Sequence, residues 1–344
     1  MRSTASPLAI WAGIVLLYVV WGSTYLGMKL AIETLPPFVM GFLRFVPAGL
    51  LLCAGVLLHA RGAVTRPSFV QLRDASIVGA LLLLGGTGLV AWGEQTIATG
   101  IAALLIGLVP MWLAVFGRVL FGDRVPALAA VGIAVGLVGV AILAWPTGGV
   151  GELDPAGLLA LIISPMFWSL GTLYAMKRAV LPAPALFSTG IQMITGGIAF
   201  LVVAILTGEM ATFDPATVSA TSWFGVTYLI VMGGLVAFPT YAWLLTVAPI
   251  GRVATYAYVN PVVAVFLGSL ILGEPLTIRT IAASVVIVAA VVLIVTARGR
   301  DSRVPRAEIA ADADPESVVG LGRGESSVAR AEPIAAAPGS ARTP

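Results

Sequence analysis

The sequence is poor in the residues from which most reactive sites are built. It holds one cysteine, Cys53, and one histidine, His59. The single cysteine excludes a disulfide framework and a thiolate metal site, and it lies inside an apolar run. His59 stands where an apolar run meets a basic loop, which suits a solvated side chain, so no metal is expected. Charged residues make up only 10% of 344 positions, too few for the surfaces of two or three soluble domains. No G-x-x-x-x-G-K-[ST] phosphate loop occurs, so ATP does not act through a domain of that kind, and no cofactor is expected. The small basic excess, a formal charge of +3, is spread over short loops and the C-terminal stretch. A nucleic-acid partner is therefore not expected.

What is abundant is apolar surface, with 59% hydrophobic residues. A helix needs about 20 apolar residues to cross a bilayer, and runs of that length recur from Leu8 to Ala297. Breaks rich in charge, proline or glycine divide them into ten spans: 8–30, 37–59, 71–93, 97–117, 127–146, 155–176, 184–207, 222–245, 250–272 and 277–297. The runs are too long and uniformly apolar for barrel strands, so an all-α, ten-helix membrane protein is predicted. The first run exceeds the core of a removable signal peptide and is read as a retained helix. Lysine and arginine alternate with the loops. Arg61, Arg66, Arg73, Arg118, Arg124, Lys177, Arg178, Arg252 and the cluster from Arg298 to Arg306 fall on one side, against Lys29 and Arg279 on the other. The positive-inside rule then puts both termini in the cytoplasm of a multi-pass protein of the inner or plasma membrane.

The chain also repeats itself. Slid back by 151 residues, Trp243 falls on Trp92, Gly251 on Gly100, Pro261 on Pro110, Gly268 on Gly117, Gly273 on Gly122 and Glu274 on Asp123. The starts of the halves match more loosely, WGSTYLGMK at Trp21 against WSLGTLYAMK at Trp168. Five spans per copy is an odd number, so the second copy enters the membrane inverted, a recurring plan of secondary transporters. The expected organisation is a cytoplasmic N-terminus at 1–7, repeats at 8–146 and 155–297, a Gly-rich acidic linker at 147–154, and a disordered cytoplasmic tail at 298–344.

WGSTYLGMKLAI followed by PPFVMGFLRF, then GLVAWGEQ and TGIAALLIGLVPMWLAVFG, and in the second half IGRVATYAYVNPVVAVFLGSLILGE, resemble the EamA-type transporters of the drug/metabolite transporter superfamily. The resemblance spans about residues 8–297. It implies an inverted-repeat basket with cytoplasmic termini that moves amino acids, other metabolites or drug-like compounds by alternating access without ATP. Export is the expected direction.

Polar and aromatic residues inside the spans mark a solute route. Trp21, Thr24 and Tyr25 share one region of span one, and Trp168 with Thr172 repeats the pattern in span six. Tyr256 and Asn260 lie four apart in span nine. Rings offer apolar or cation-π surface and hydroxyls offer hydrogen bonds; the alternatives are interfacial belts and close helix packing. Pro110 and Pro261 hold matching places in spans four and nine. Each frees a backbone carbonyl, which suits a hinge beside a cavity, or a packing kink. Lys29, Arg44 and Glu94 gather toward one mouth as a gate or coupling group, with Glu33 spaced for an ion pair with Lys29. The alternative is that Lys29 and Arg44 snorkel to headgroups while Glu94 sits in water. Gly132 and Gly136 give span five a GxxxG spacing suited to close helix contact, and with span ten it is expected at the periphery, facing lipid or a second subunit in a homodimer.

A small-molecule secondary transporter is the leading class. A polytopic membrane enzyme, the first rival, would need clustered acid, base or metal-binding groups inside the spans, which the residue inventory does not offer. A channel, the second, fits the duplicated, proline-broken spans less well than alternating access does. Cysteines placed singly at positions 123 and 274 are expected to react with an impermeant maleimide from opposite sides of the membrane; labelling from one side would end the inverted arrangement.

Overall fold

The computed structural model describes residues 5–59, 64–145, 153–248, 250–253 and 255–301. Most of the expected linker and tail lies outside the described residues. The described chain is helical, without strand, and nine of its helices are long and apolar enough to cross a membrane. These are α1 Pro7–Ala31, α2 Pro37–His59, α3 Phe69–Gly93, α4 Thr99–Phe121, α5 Ala127–Ala144, α6 Pro155–Lys177, α7 Ala185–Leu206, α8 Ala220–Val247 and α10, whose apolar part is Ile278–Ala297. The shorter α9, Tyr256–Leu272, follows a single turn at Ile250–Val253. The ten elements fall on the ten expected spans. The last runs on to Asp301, four residues past the expected end.

Helix ends follow the local chemistry. Ser6, Ser68, Asp154 and Ser219 cap α1, α3, α6 and α8 by accepting backbone N–H bonds, with a full capping box between Ser68 and Gln71. Glu209, on the turn after α7, accepts from Phe38 and Val39 N–H at 2.8 and 3.2 Å and so caps α2 from another helix. Left-handed glycines, Gly122 at φ 71° and Gly273 at φ 66°, close α4 and α9.

Three of the long spans depart from regular helix. α3 contains a π segment at Ala80–Gly88 and α8 another at Leu229–Val236, each around a Gly-Gly pair, Gly85–Gly86 and Gly233–Gly234. The sequence reading anticipated neither. α4 breaks at Gly107–Leu108, so Pro110 sits in the first turn of its second half, where a missing N–H costs nothing. Pro261 instead lies inside α9, and the break in that span comes earlier, before Tyr256. The matched prolines thus do not occupy matched positions relative to the breaks.

Glycine sets how closely the helices approach. In lipid there is little hydrophobic force between helices, so small residues and backbone proximity do much of the packing. α2 and α7 meet through Gly49, where a Cβ would lie 2.6 Å from the Gly190 carbonyl and 2.9 Å from the Ile194 nitrogen. α1 meets α8 and α9 through Gly13, Gly22 and Gly27, while α6 meets α3 through Gly171 and Gly93. Gly132, Gly136 and Gly139 of α5 turn toward Ile294, Ala290 and Ile287 of α10. That GxxxG face is occupied within the chain rather than left free for a second copy.

Two polar faces follow. Glu274, just after α9, accepts from Thr99 N–H and Gly100 N–H at the start of α4. Asp123 follows the end of α4 and takes the Lys177 ammonium at the end of α6. α4 and α9 therefore run oppositely, and the two acids mark opposite faces. At the Glu274 face Thr96 donates to Asp154 at 2.9 Å, and the Thr34 hydroxyl donates to Ser222 at 2.9 Å. The Gly157 N–H and the Thr96 hydroxyl hold the Asp154 carboxyl below its ordinary range. At the Asp123 face Asp74, 1% exposed, accepts from the Tyr174 hydroxyl at 3.0 Å and Val180 N–H at 2.8 Å. This buried acid ties α3 to the end of α6, a role the sequence reading missed. Gly49→Val is expected to cost about 1–3 kcal/mol, seen as a lower melting temperature in detergent, whereas Gly55→Ala, with open space around it, leaves the melt unchanged.

Candidate solute site

Gly22 determines where Trp21 goes. A Cβ there would meet Val263 at 2.6 Å and the Asn260 carbonyl at 3.2 Å, so only glycine lets α1 lie this close to α9. The neighbouring Trp21 ring is thereby carried among three others. It lies 4.8 Å from Tyr256 at 74°, 5.2 Å from Tyr241 at 49° and 5.9 Å from Phe238 at 70°. Tyr241 and Tyr256 stand edge to face at 6.0 Å. Tilted and edge-to-face contacts are the arrangements aromatic quadrupoles favour. α1, α8 and α9 thus build a cage of four rings.

Polar groups adjoin it. Thr24 donates to the Trp21 carbonyl at 2.6 Å. A Cβ on Gly233, in the π segment of α8, would lie 3.4 Å from the Thr24 methyl and 3.5 Å from Arg44 Nη2, so the missing side chain brings both together. Arg44 is 8% exposed, with its guanidinium carbon 4.6 Å from the Phe45 ring centroid. Its Nη1 has no hydrogen-bond partner among the described residues. Glu94 is fully buried and neither carboxylate oxygen has a partner among the described residues, while its backbone carbonyl accepts the Lys29 ammonium. Lys29, Glu274 and Arg44 are the charged groups near Glu94, and Tyr25 lies near both Glu94 and Tyr256. Asn260 Oδ1 and Thr99 Oγ1 are also buried without a partner among the described residues.

These positions correct three expectations. Lys29 does not pair with Glu33, because α1 ends at Ala31 and Glu33 lies in the turn beyond, where helical spacing no longer applies. Arg44 is buried between helices and does not reach headgroups. Glu94 is not in water.

Trp21, Thr24, Tyr25 and Tyr256 are brought into one region, with Asn260 one turn along α9 from Tyr256. Trp168 and Thr172 are not. Trp168 lies against Gly86 in the π segment of α3, 2.8 Å from a Cβ built there, and Thr172 donates to the Trp168 carbonyl at 2.8 Å. Nearby, the Ser164 hydroxyl donates to the Gly86 carbonyl at 2.7 Å, satisfying backbone that the π segment leaves free. Pro261 sits 3.0 Å from a Cβ built on Gly107, so the break of α4 rests on the proline of α9. Phe238 and Tyr241 were missed from the sequence. Their signal is a spacing: Gly234 to Trp243 is three residues longer than the matching Gly86 to Trp92, and the extra residues hold both rings' neighbourhood. A separate cavity of about 50 Å³ between α4, α5 and α6, lined by Leu105, Met111, Trp112 and Ile162 among others, is apolar and too small for a metabolite.

The chain is similar to proteins already known. The sequence pattern of the EamA-like transporter family matches it twice, over residues 8–145 and 155–296. It is 35% identical over 288 residues to the uncharacterized inner membrane transporter YedA of Escherichia coli K12, covering 83% of this chain and 90% of that protein. It is 24% identical to the uncharacterized transporter YvbV of Bacillus subtilis, with 81% and 89% covered, and 27% identical to protein PecM of Dickeya dadantii, with 80% and 88% covered. A solved crystal structure shares the fold at a TM-score of 0.55 and 20% identity, over 85% of this chain and 96% of that one. Two matches that together take in both halves, and relatives aligned along nearly their full length, make this chain a membrane-spanning member of the EamA-like transporter family.

Proposed function

We propose that the protein is a secondary transporter that exports a small organic solute bearing an apolar or aromatic part, by alternating access between the Asp123 and Glu274 faces. The observation that carries this reading is the cage of Trp21, Phe238, Tyr241 and Tyr256 beside a buried Arg44 Nη1 and Glu94 carboxyl that have no hydrogen-bond partner among the described residues. An unpaired buried charge is costly, and it is retained where a ligand or a proton completes it. The rings supply surface for the apolar part of a solute, and Thr24, Tyr25 and Asn260 supply polar contacts. The excess of lysine and arginine in alternate loops supports cytoplasmic termini, with the Asp123 face inside.

Glu94 is the proposed coupling group. With neither oxygen hydrogen-bonded, its protonated form costs less than a carboxylate in this environment, even with Lys29 and Arg44 nearby and Glu274 opposing them. A proton taken up here and released when the site opens would link solute movement to a pH gradient. Acid then favours the arrangement described, and raising the pH disfavours it.

Trp21→Ala and Asn260→Ala are each expected to reduce solute flux in proteoliposomes about tenfold or more, the loss of a stacking or hydrogen-bonding anchor of roughly 1.4 kcal/mol, with membrane insertion intact. Normal flux in both would remove the cage from the route. Glu94→Gln is expected to abolish the stimulation of transport by a pH gradient while leaving counterflow; unchanged gradient dependence would end its coupling role.

A further inference from the structure

The two copies end their broken span with the same device. In α4 the left-handed Gly122 turns the chain so that Asp123 N–H returns to the Gly117 carbonyl at 3.1 Å; in α9 Gly273 does the same for Glu274 N–H and the Gly268 carbonyl at 3.2 Å. In both, the carboxylate folds back over the glycine six residues earlier, where a side chain would collide with it. The sequences FGRVLFGD and FLGSLILGE therefore present an acid in the same pose, one at each face.

What the acids hold differs. Glu274 receives Thr99 N–H at 2.7 Å and Gly100 N–H at 3.2 Å, two charge-assisted bonds across the join between the copies. Below them α4 and α9 stay in contact, Gly100 against Val265 and Gly107 against Pro261. Past Gly107, α4 leaves α9 for α6, where Ser169 donates to the Val109 carbonyl at 3.1 Å, and Asp123 closes on Lys177 of that same helix. The positions 151 residues after Thr99 and Gly100 are Ile250 and Gly251, at the start of span nine on the Asp123 face. By the internal symmetry these are to Asp123 what Thr99 and Gly100 are to Glu274.

We propose that Glu274 and Asp123 are alternating latches of the two mouths: Glu274 on the backbone of Thr99 and Gly100 closes one, and Asp123, released from Lys177, closes the other on the backbone of Ile250 and Gly251. This rests on the alternating-access reading and adds which residues hold each mouth shut. Lys177 is then the parking partner of Asp123 while its own mouth is open.

The test is pulsed electron–electron distance measurement in nanodiscs, in a Cys53→Ser background, with spin labels at the exposed pairs Gln95/Leu276 and Arg124/Arg252. Glu274→Ala is expected to raise the ratio of long to short Gln95/Leu276 distances about tenfold or more and to bring in a shorter Arg124/Arg252 population. Adding Asp123→Ala is expected to remove that shorter population. Unchanged distances in Glu274→Ala, or a shorter Arg124/Arg252 population that survives the second substitution, would overturn the latches. Gly100→Trp, a wedge between α4 and α9, separates the two ideas. If the wedge moves both pairs while Glu274→Ala moves neither, alternating access stands and the latch falls; if it opens Gln95/Leu276 without drawing in Arg124/Arg252, alternating access falls as well.

Discussion

Every backbone N–H and C=O that lies in hydrocarbon must find its partner within the protein. This constraint makes the spans helical, and it also picks out where helix can be given up. Regular hydrogen bonding lapses at the π segments of α3 and α8, at Gly107–Leu108, and before Tyr256. Each lies among other helices. Ser164 meets the Gly86 carbonyl, Gly107 rests on Pro261, and the α8 segment borders Thr24 and Arg44. The irregular backbone thus lies along the join of the two copies, where a solute route would need polar groups and give.

Span positions were legible because they depend on length and composition alone. A run of about 20 apolar residues has few alternatives in a bilayer, and proline, glycine and charge bound it. The inversion was legible for a similar reason, since an odd number of spans per copy forces it. What could not be read was anything set by distance across helices. Lys29 and Glu33 looked like a pair because the spacing rule assumes the helix continues, and it stops at Ala31. Arg44 and Glu94 had surface explanations from sequence position, and only the packing of α1, α2 and α8 around them removes water. The π segments left no clear mark, since Gly-Gly pairs serve many purposes. Trp168 was grouped with Trp21 by internal similarity, yet one ring joins a cage and the other lies on Gly86.

That last difference belongs to a pattern. Two copies of one plan, built from matching residues, do not sit in matching surroundings. Glu274 caps a neighbouring helix while Asp123 pairs with a lysine; Pro110 begins a half-helix while Pro261 lies within one. A fold with an internal two-fold could take a symmetric arrangement with both mouths alike. The one observed is asymmetric; under the alternating access proposed above, exchanging the roles of the copies would give the second arrangement. Two such states would have to differ little in free energy for a modest ligand or proton to shift between them.

Unmet polar groups lie inside the protein beside this join of the copies. Arg44 gains a contact with Phe45 and Glu94 lends only its backbone carbonyl to Lys29, so both keep unmet polar capacity inside the protein. A structure selected for stability alone would place apolar residues there, since replacing buried charges with well-packed hydrophobic groups is often stabilising. Their cost is recovered only in a state where something else satisfies them, whether solute, proton or water. A solute or proton that met Arg44 Nη1 and the Glu94 carboxyl would recover that cost, which is the physical ground for the transport proposed above.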